Sequence, residues 1–197
     1  GGVPIFSGGT GARGMTSDGE AAVAGIVTGL AQAQAVLGGS IVSGLRMLPG
    51  NWAGAHTCWG TENREAAVRF LPATHGNPRG ANVEVKIVDP SANPYFATAA
   101  ILGLALDGIE EATALPPEVT IDPAALTVSE RTAAGVGLLS TDQAEIVAGL
   151  ANSARMRAIL GDPAVDALGA GRRYEYEHYS ALDPEQLCDR FRMAWSV

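Results

Sequence analysis

Residues 81–88, ANVEVKIV, alternate: Val83, Val85 and Ile87 face one way, and Asn82, Glu84 and Lys86 face the other. The run from Arg64 alternates too, with Ala66, Val68 and Phe70 on one side and Glu65, Ala67 and Arg69 on the other. Joined by the polar loop ATHGNPRG, the two runs make a plausible antiparallel pair. If both apolar faces pack on helices, Arg69, Glu84 and Lys86 line the same opposite surface. Lys86 is the only lysine in a chain with twelve arginines. Spacing alone reads these charges as a solvated cross-strand ion pair, and Arg64 and Arg69 as surface arginines. The chemistry that gathered arginines would serve is local binding of an anion.

Composition limits the wider possibilities. The chain has 197 residues, 47% apolar and 17% charged, which suits one packed domain or a large piece of a bigger one. A formal charge of −8 repels polyanions, so a broad nucleic-acid footprint is not expected. Cys58 and Cys188 lie far apart without metal-type spacing, which gives no disulfide scaffold or zinc site and points to a reduced, cytoplasmic protein. Apolar runs are interrupted by Gly, Asp or Gln, and no charged-then-apolar leader opens the chain, so neither a membrane span nor a signal peptide is expected. The chain opens on Gly-Gly rather than Met and is expected to be a fragment.

The elements that must position the charges are signalled unevenly. VPIF at residues 3–6 reads as a short strand leading into a glycine-rich loop. A helix follows from Ser17, with Ser17 and Glu20 as a capping box and Gly38 or Gly39 as its end. It is almost uncharged after Glu20, so most of its circumference should be buried. Pro49-Gly50 marks a turn, and the Asn/Trp/Ala/Gly run beyond it reads as a mobile loop. Asn93 and Pro94 open a helix to about Asp107, apolar on nearly every side and expected in the core. Residues 111–139 read as an irregular excursion. Further helices open at Ser140 with Gln143, Asp162 with Pro163, and Asp183 with Pro184, the last running through Trp195. His56, His75 and His178 lack ligand spacing and read as structural or exposed, and Trp52 and Trp59 read as packing residues.

Four segments together resemble a known family: RMLPG at 46–50, NREAAVRF at 63–70, VEVKIVDPSANPYFATAAILGLALDGIE at 83–110 and the terminal FRMAWSV. Their order and spacing are similar to the carboxyl-terminal part of the catalytic domain of glutamine synthetases. Ala-Asn-Pro-Tyr followed by Leu-Asp-Gly-Ile is the most specific part. The resemblance covers residues 1–197 and implies an α+β fold, in which antiparallel strands form part of the catalytic half-barrel and pack on helices. It also implies that the amino-terminal β-domain and the first part of the catalytic domain lie upstream.

By that resemblance the whole protein is an ATP-dependent carboxylate-amine ligase. Glutamate is activated as γ-glutamyl phosphate, and ammonia then displaces phosphate to give glutamine. Crowded negative charge is the difficulty such a reaction must meet. The resemblance makes Glu84 a ligand for Mg²⁺ or Mn²⁺ and places Arg46 on the carboxylate end of glutamate. Arg64 and Arg69 fall to the ATP phosphates, with Arg64 also acting on the phosphoryl in flight. The resemblance also makes Lys86 a catalytic and substrate-binding residue, standing where the family has an arginine, so it keeps the charge but loses the bidentate fork. Asn82 and Leu45 stand where basic residues are usual.

Trp52 occupies the flap position that carries a Glu in ammonia-using members, and an indole cannot act as a base. That puts ammonia in doubt and leaves a γ-glutamyl-polyamine ligase, or another amine ligase, as one alternative. A non-catalytic structural or regulatory homologue is a second, of a different class. The stretch PAALTVSERTAAG holds no Tyr, so adenylylation there is not expected. Full-length relatives form double-ringed homo-oligomers. The 197 residues alone are expected to be inactive as a ligase, with no nucleic-acid or membrane partner.

Overall fold

A computed structural model describes residues 2–194. Eight α-helices, a three-stranded sheet and two short 3-10 turns, Ala12–Gly14 and Pro123–Ala125, make up its regular elements. In chain order the helices and strands are α1 (Ser17–Leu37), α2 (Ser43–Arg46), β1 (His56–Thr61), β2 (Ala66–Leu71), β3 (Asn82–Val85), α3 (Pro94–Glu110), α4 (Val128–Ala133), α5 (Gln143–Ala151), α6 (Ala154–Leu160), α7 (Asp162–Tyr179) and α8 (Pro184–Phe191). The class is α+β, as the sequence implies.

Helix α1 is the axis of the core. Thr16, one residue before the expected cap, accepts the Gly19 amide, while the Glu20 carboxylate turns back to the Ala12 amide at 2.6 Å instead of closing a capping box. The rest of α1 is small and apolar and buries nearly all round, as its lack of charge predicts. It is long and apolar enough to cross a bilayer, but its side chains are taken up by α3, α5 and the sheet, which marks a core helix. Met15, Ile26, Leu30, Leu37, Trp59, Phe70, Ile87 and Leu104 fill the interior around it.

The α1–α3 crossing depends on glycine. A Cβ on Gly25 would lie 2.2 Å from the Leu104 carbonyl oxygen and 2.7 Å from Gly108 Cα, and one on Gly108 would lie 2.2 Å from the Ala21 carbonyl oxygen. The two backbones touch where no side chain intervenes. Arg155 adds a polar tie to the same helix, donating to Asp107 at 2.8 Å.

The sheet has the order β1-β2-β3. Strands β2 and β3 are antiparallel, as the alternation requires, with Val68 opposite Val85, Arg69 opposite Glu84 and Phe70 opposite Val83. Strand β1 runs parallel to β2, with an irregularity between His56 and Trp59. It replaces part of the loop expected after Pro49-Gly50. Its residues are buried on both faces, so no alternation announces it.

Several other expectations are corrected. Residues 3–6 form no strand, and their chain bends instead toward the start of α1, where the Ile5 carbonyl accepts from Thr16. Helix α3 has the expected Asn93 cap and Pro94 start and runs on to Glu110. Yet only Ala97, Ala100, Leu104 and Gly108 are buried, while Tyr95, Leu102 and Leu106 are exposed. Residues 111–139 include a 3-10 turn at Pro123–Ala125, capped by Asp122, and the short helix α4, closed by a full Thr127/Glu130 capping box. Asp142, not Ser140, caps α5, and Ser153 opens α6, which no sequence signal had marked. Asp183 and Gln186 form a capping box at α8; the expected end of that helix at Trp195 lies outside the described residues.

Burial also sorts the cysteines. Cys58 sits inside β1, and loss of solvent pushes its thiol up to about 12. Cys188 is exposed on α8. Alkylation of the native protein at pH 8, read by peptide mass, is expected to mark Cys188 and leave Cys58 unmodified until denaturant is added. Labelling of Cys58 at the same rate as Cys188 would contradict its place in the core.

Candidate active site

The β2–β3 register places Arg69 and Glu84 directly across from each other, and the Lys86 amide donates to the Ala67 carbonyl at 2.9 Å, one pair further along the same face. The side chains meet. Arg69 Nη1 lies 3.3 Å from Glu84 Oε2 and Lys86 Nζ lies 4.0 Å from Glu84 Oε1. Glu84 is 44% exposed and Lys86 12%, so the carboxylate opens to solvent while one of its cations is largely covered. Arg69 Nε is buried and, among the described residues, without a partner, which leaves donor capacity unused in the site.

A loop from Met47 to Ala55 crosses this face. Gly54 is the contact point: a Cβ there would stand 2.8 Å from Lys86 Cβ and 3.0 Å from Ala67 Cα, and its φ of +75° is one that glycine adopts without cost. Trp52 stands at the loop's tip, 61% exposed, with Arg64 over its ring at 5.3 Å. Trp52 is therefore not the packing residue expected, whereas Trp59 is, fully buried with its indole N–H donating to the Pro116 carbonyl.

Arg46, at the end of α2, donates to the Ile87 carbonyl at 3.1 Å, one residue past Lys86. It lines a cavity of about 270 Å³ with Ser43, Asp89 and Ser91, where both serine hydroxyls donate to the Asp89 carboxylate. The fold thus brings Arg69, Glu84 and Lys86 into one cluster. Arg64 is joined to that cluster through the Trp52 loop, and Arg46 sits at its far end beside a separate hollow.

A divalent cation needs several oxygen donors. Glu84 supplies one carboxylate that already faces two cations, and among the described residues no group of three His, Cys, Asp or Glu side chains could hold a metal. These residues by themselves do not make a cation site. His56 is buried in β1 rather than exposed. Burial holds its imidazole below the usual range despite the opposing pull of Asp122 and Glu65, and its Nδ1 has no partner among the described residues. His75 and His178 are exposed, the latter stacked on Tyr174.

Sequence reasoning gave Glu65 only a place in the alternation. In the structure it is 7% exposed and its carboxylate accepts the amides of Gly50 at 3.2 Å and Trp52 at 3.0 Å. Glu65 directly precedes β2, and no local sequence signal marks its role, because both amides it holds lie 13 or more residues earlier.

Cations gathered around a solvent-facing carboxylate, beside a loop that carries an exposed aromatic ring, have the chemistry to receive an anion. Comparison with known proteins shows the family. The family model for the glutamine synthetase catalytic domain matches residues 1–188, and the chain belongs to this family. It is 39% identical over 192 residues to a gamma-glutamylpolyamine synthetase of Streptomyces coelicolor, covering 97% of this chain and 41% of that protein. It is 32% identical over 157 residues to a glutamine synthetase of Clostridium saccharobutylicum, covering 80% of this chain and 35% of that protein. A solved glutamine synthase homolog superposes with a TM-score of 0.81 at 24% identity, over 97% of this chain and 42% of that one, a likeness of fold. The chain thus spans about two fifths of the length of these relatives.

Proposed function

We propose that residues 1–197 are the carboxyl-terminal portion of the catalytic domain of an ATP-dependent glutamate-amine ligase, and supply its carboxylate- and phosphate-binding cations. The observation that carries this reading is the cross-strand cluster of Arg69, Glu84 and Lys86. Charges on one exposed strand face have no structural need to converge beneath a covering loop.

In this reading a glutamate γ-carboxylate oxygen attacks the γ-phosphorus of ATP and ADP leaves, giving an acyl phosphate. An amine nitrogen then attacks the acyl carbon, phosphate departs, and the nitrogen loses a proton. Arg69 and Lys86 offset the negative charge that accumulates, Arg64 approaches the phosphates, and Arg46 holds the carboxylate end of glutamate. Glu84 is one ligand of a set for Mg²⁺ or Mn²⁺ that other parts of the longer protein complete. The ligase works as a cytoplasmic homo-oligomer, without a nucleic-acid or membrane partner.

The acceptor is an amine, and a polyamine is the better fit than ammonia. Trp52 offers an exposed aromatic face that suits an alkylammonium, and the gamma-glutamylpolyamine synthetase is matched at 39% identity against 32% for the glutamine synthetase named above. The test is phosphate release by the full-length protein with ATP, Mg²⁺ or Mn²⁺ and glutamate, across ammonia and a panel of polyamines. Release with polyamines is expected. Release with ammonia alone would end the polyamine reading, and no release with any amine would leave a non-catalytic homologue.

A further inference from the structure

We propose that Glu65 is a positioning residue that latches the loop at Gly50 and Trp52 and so holds the Trp52 indole in place as the wall of the acceptor side of the site. The acceptor-side assignment rests on the function proposed above; the latch stands on geometry alone.

Glu65 is buried, and its two oxygens are divided between two amides of the loop, Oε2 taking Gly50 and Oε1 taking Trp52. Charge-assisted bonds of this kind are about twice as strong as neutral ones. The main chain of Glu65 is anchored in turn. The Glu65 amide donates to Asn63 Oδ1 at 3.0 Å, and Asn63 Nδ2 donates to the carbonyls of Val119 and Ile121 at 2.8 and 2.9 Å. The latch is therefore fixed to the body of the fold and not to the loop it holds.

Trp52 needs holding. Its φ of +54° lies in the left-handed region, which is unfavourable for a bulky residue. Its ring is largely exposed, so core packing does not offset that cost. Two interactions remain: the Glu65 carboxylate on its amide and the Arg64 guanidinium over its ring. Residues 64 and 65 of one chain segment thus grip both ends of the same tryptophan, and the Gly50 amide donates to the second Glu65 oxygen. With both oxygens engaged by the main chain, Glu65 positions the loop and does not itself take a proton from substrate.

Amide hydrogen exchange on the full-length protein tests the latch without any turnover. In Glu65→Ala, and to a smaller extent in the isosteric Glu65→Gln, the amides of residues 50–54 are expected to exchange about tenfold faster, with α1 and β2 unchanged. Unchanged loop exchange in both variants overturns the latch. Acceleration spread equally over α1 and β2 overturns it too, because Glu65 would then act on global stability. For the acceptor side, Glu65→Gln is expected to raise KM for the amine about fivefold while KM for ATP stays level. An equal rise in both overturns that assignment. Should the parent protein turn over no amine, the functional reading falls while the exchange data still decide the latch.

Discussion

Replacing Glu84 by Gln is expected to lower kcat of the full-length protein by about 10²–10³-fold while leaving its unfolding midpoint almost unchanged. The two halves of that result have separate causes. Glu84 is half in solvent, and its pairs with Arg69 and Lys86 are cross-strand contacts of the sort that add little to stability. Its removal frees Arg69 and Lys86 from their counter-charge, so KM for ATP should hold or fall even as turnover is lost. Steady-state phosphate release together with urea unfolding reads both quantities. A kcat near that of the parent would remove Glu84 from the chemistry, and a kcat that falls only in step with folded fraction would make it structural.

The largest expected effect on stability lies elsewhere, at the α1–α3 crossing. Gly25→Val places atoms where the Leu104 carbonyl and Gly108 Cα already sit, at 2.2 and 2.7 Å from the first added carbon. Backbone cannot swing aside as a side-chain end can, so the helices must part, at a cost of about 3 kcal/mol or more. Gly29→Ala is the useful contrast, because its added carbon meets the methyl groups of Leu104, which can rotate. Gly171→Ala in α7 meets nothing within 4 Å and is expected to be neutral or to stabilise by about 0.5–1 kcal/mol. Urea denaturation should rank the three as Val at 25, Ala at 29, then Ala at 171. A Gly25→Val midpoint close to that of the parent would mean that the helices do not approach as closely as described.

The parts of the fold that were legible in the sequence are those built from local signals. Asn93-Pro94 and Asp183-Pro184 open helices with cap bonds that span only two or three residues, and Asp162-Pro163 begins α7 without a side-chain cap. The alternation from Ala66 and from Asn82 gave the β2–β3 pair because one face of each strand is polar. Strand β1 escaped because burial on both faces erases the period-two signal, and Gly60 weakens the composition further. The buried fraction of α3 was overestimated for the opposite reason. A helix apolar all round announces that it can be buried, while the number of neighbours around it within the described residues decides how much is.

For the candidate site, the alternation placed Arg69, Glu84 and Lys86 on one surface, and the register brings them to 3.3 and 4.0 Å. Glu65 and Gly54 were invisible because their partners are 13 to 32 residues away: the amides at 50 and 52 for the first, Lys86 and Ala67 for the second.

What the sequence by itself determined is the chemical inventory and the face on which it lies: a single lysine, an acid two residues before it, and an arginine one strand away, ordered by a pleat of period two. Only the tertiary structure decided which loop covers that face, which buried acid holds the loop, and which apolar helix surface stays open. Pleat and caps depend on neighbours in the chain, whereas coverage depends on contacts that form once the chain has folded back on itself.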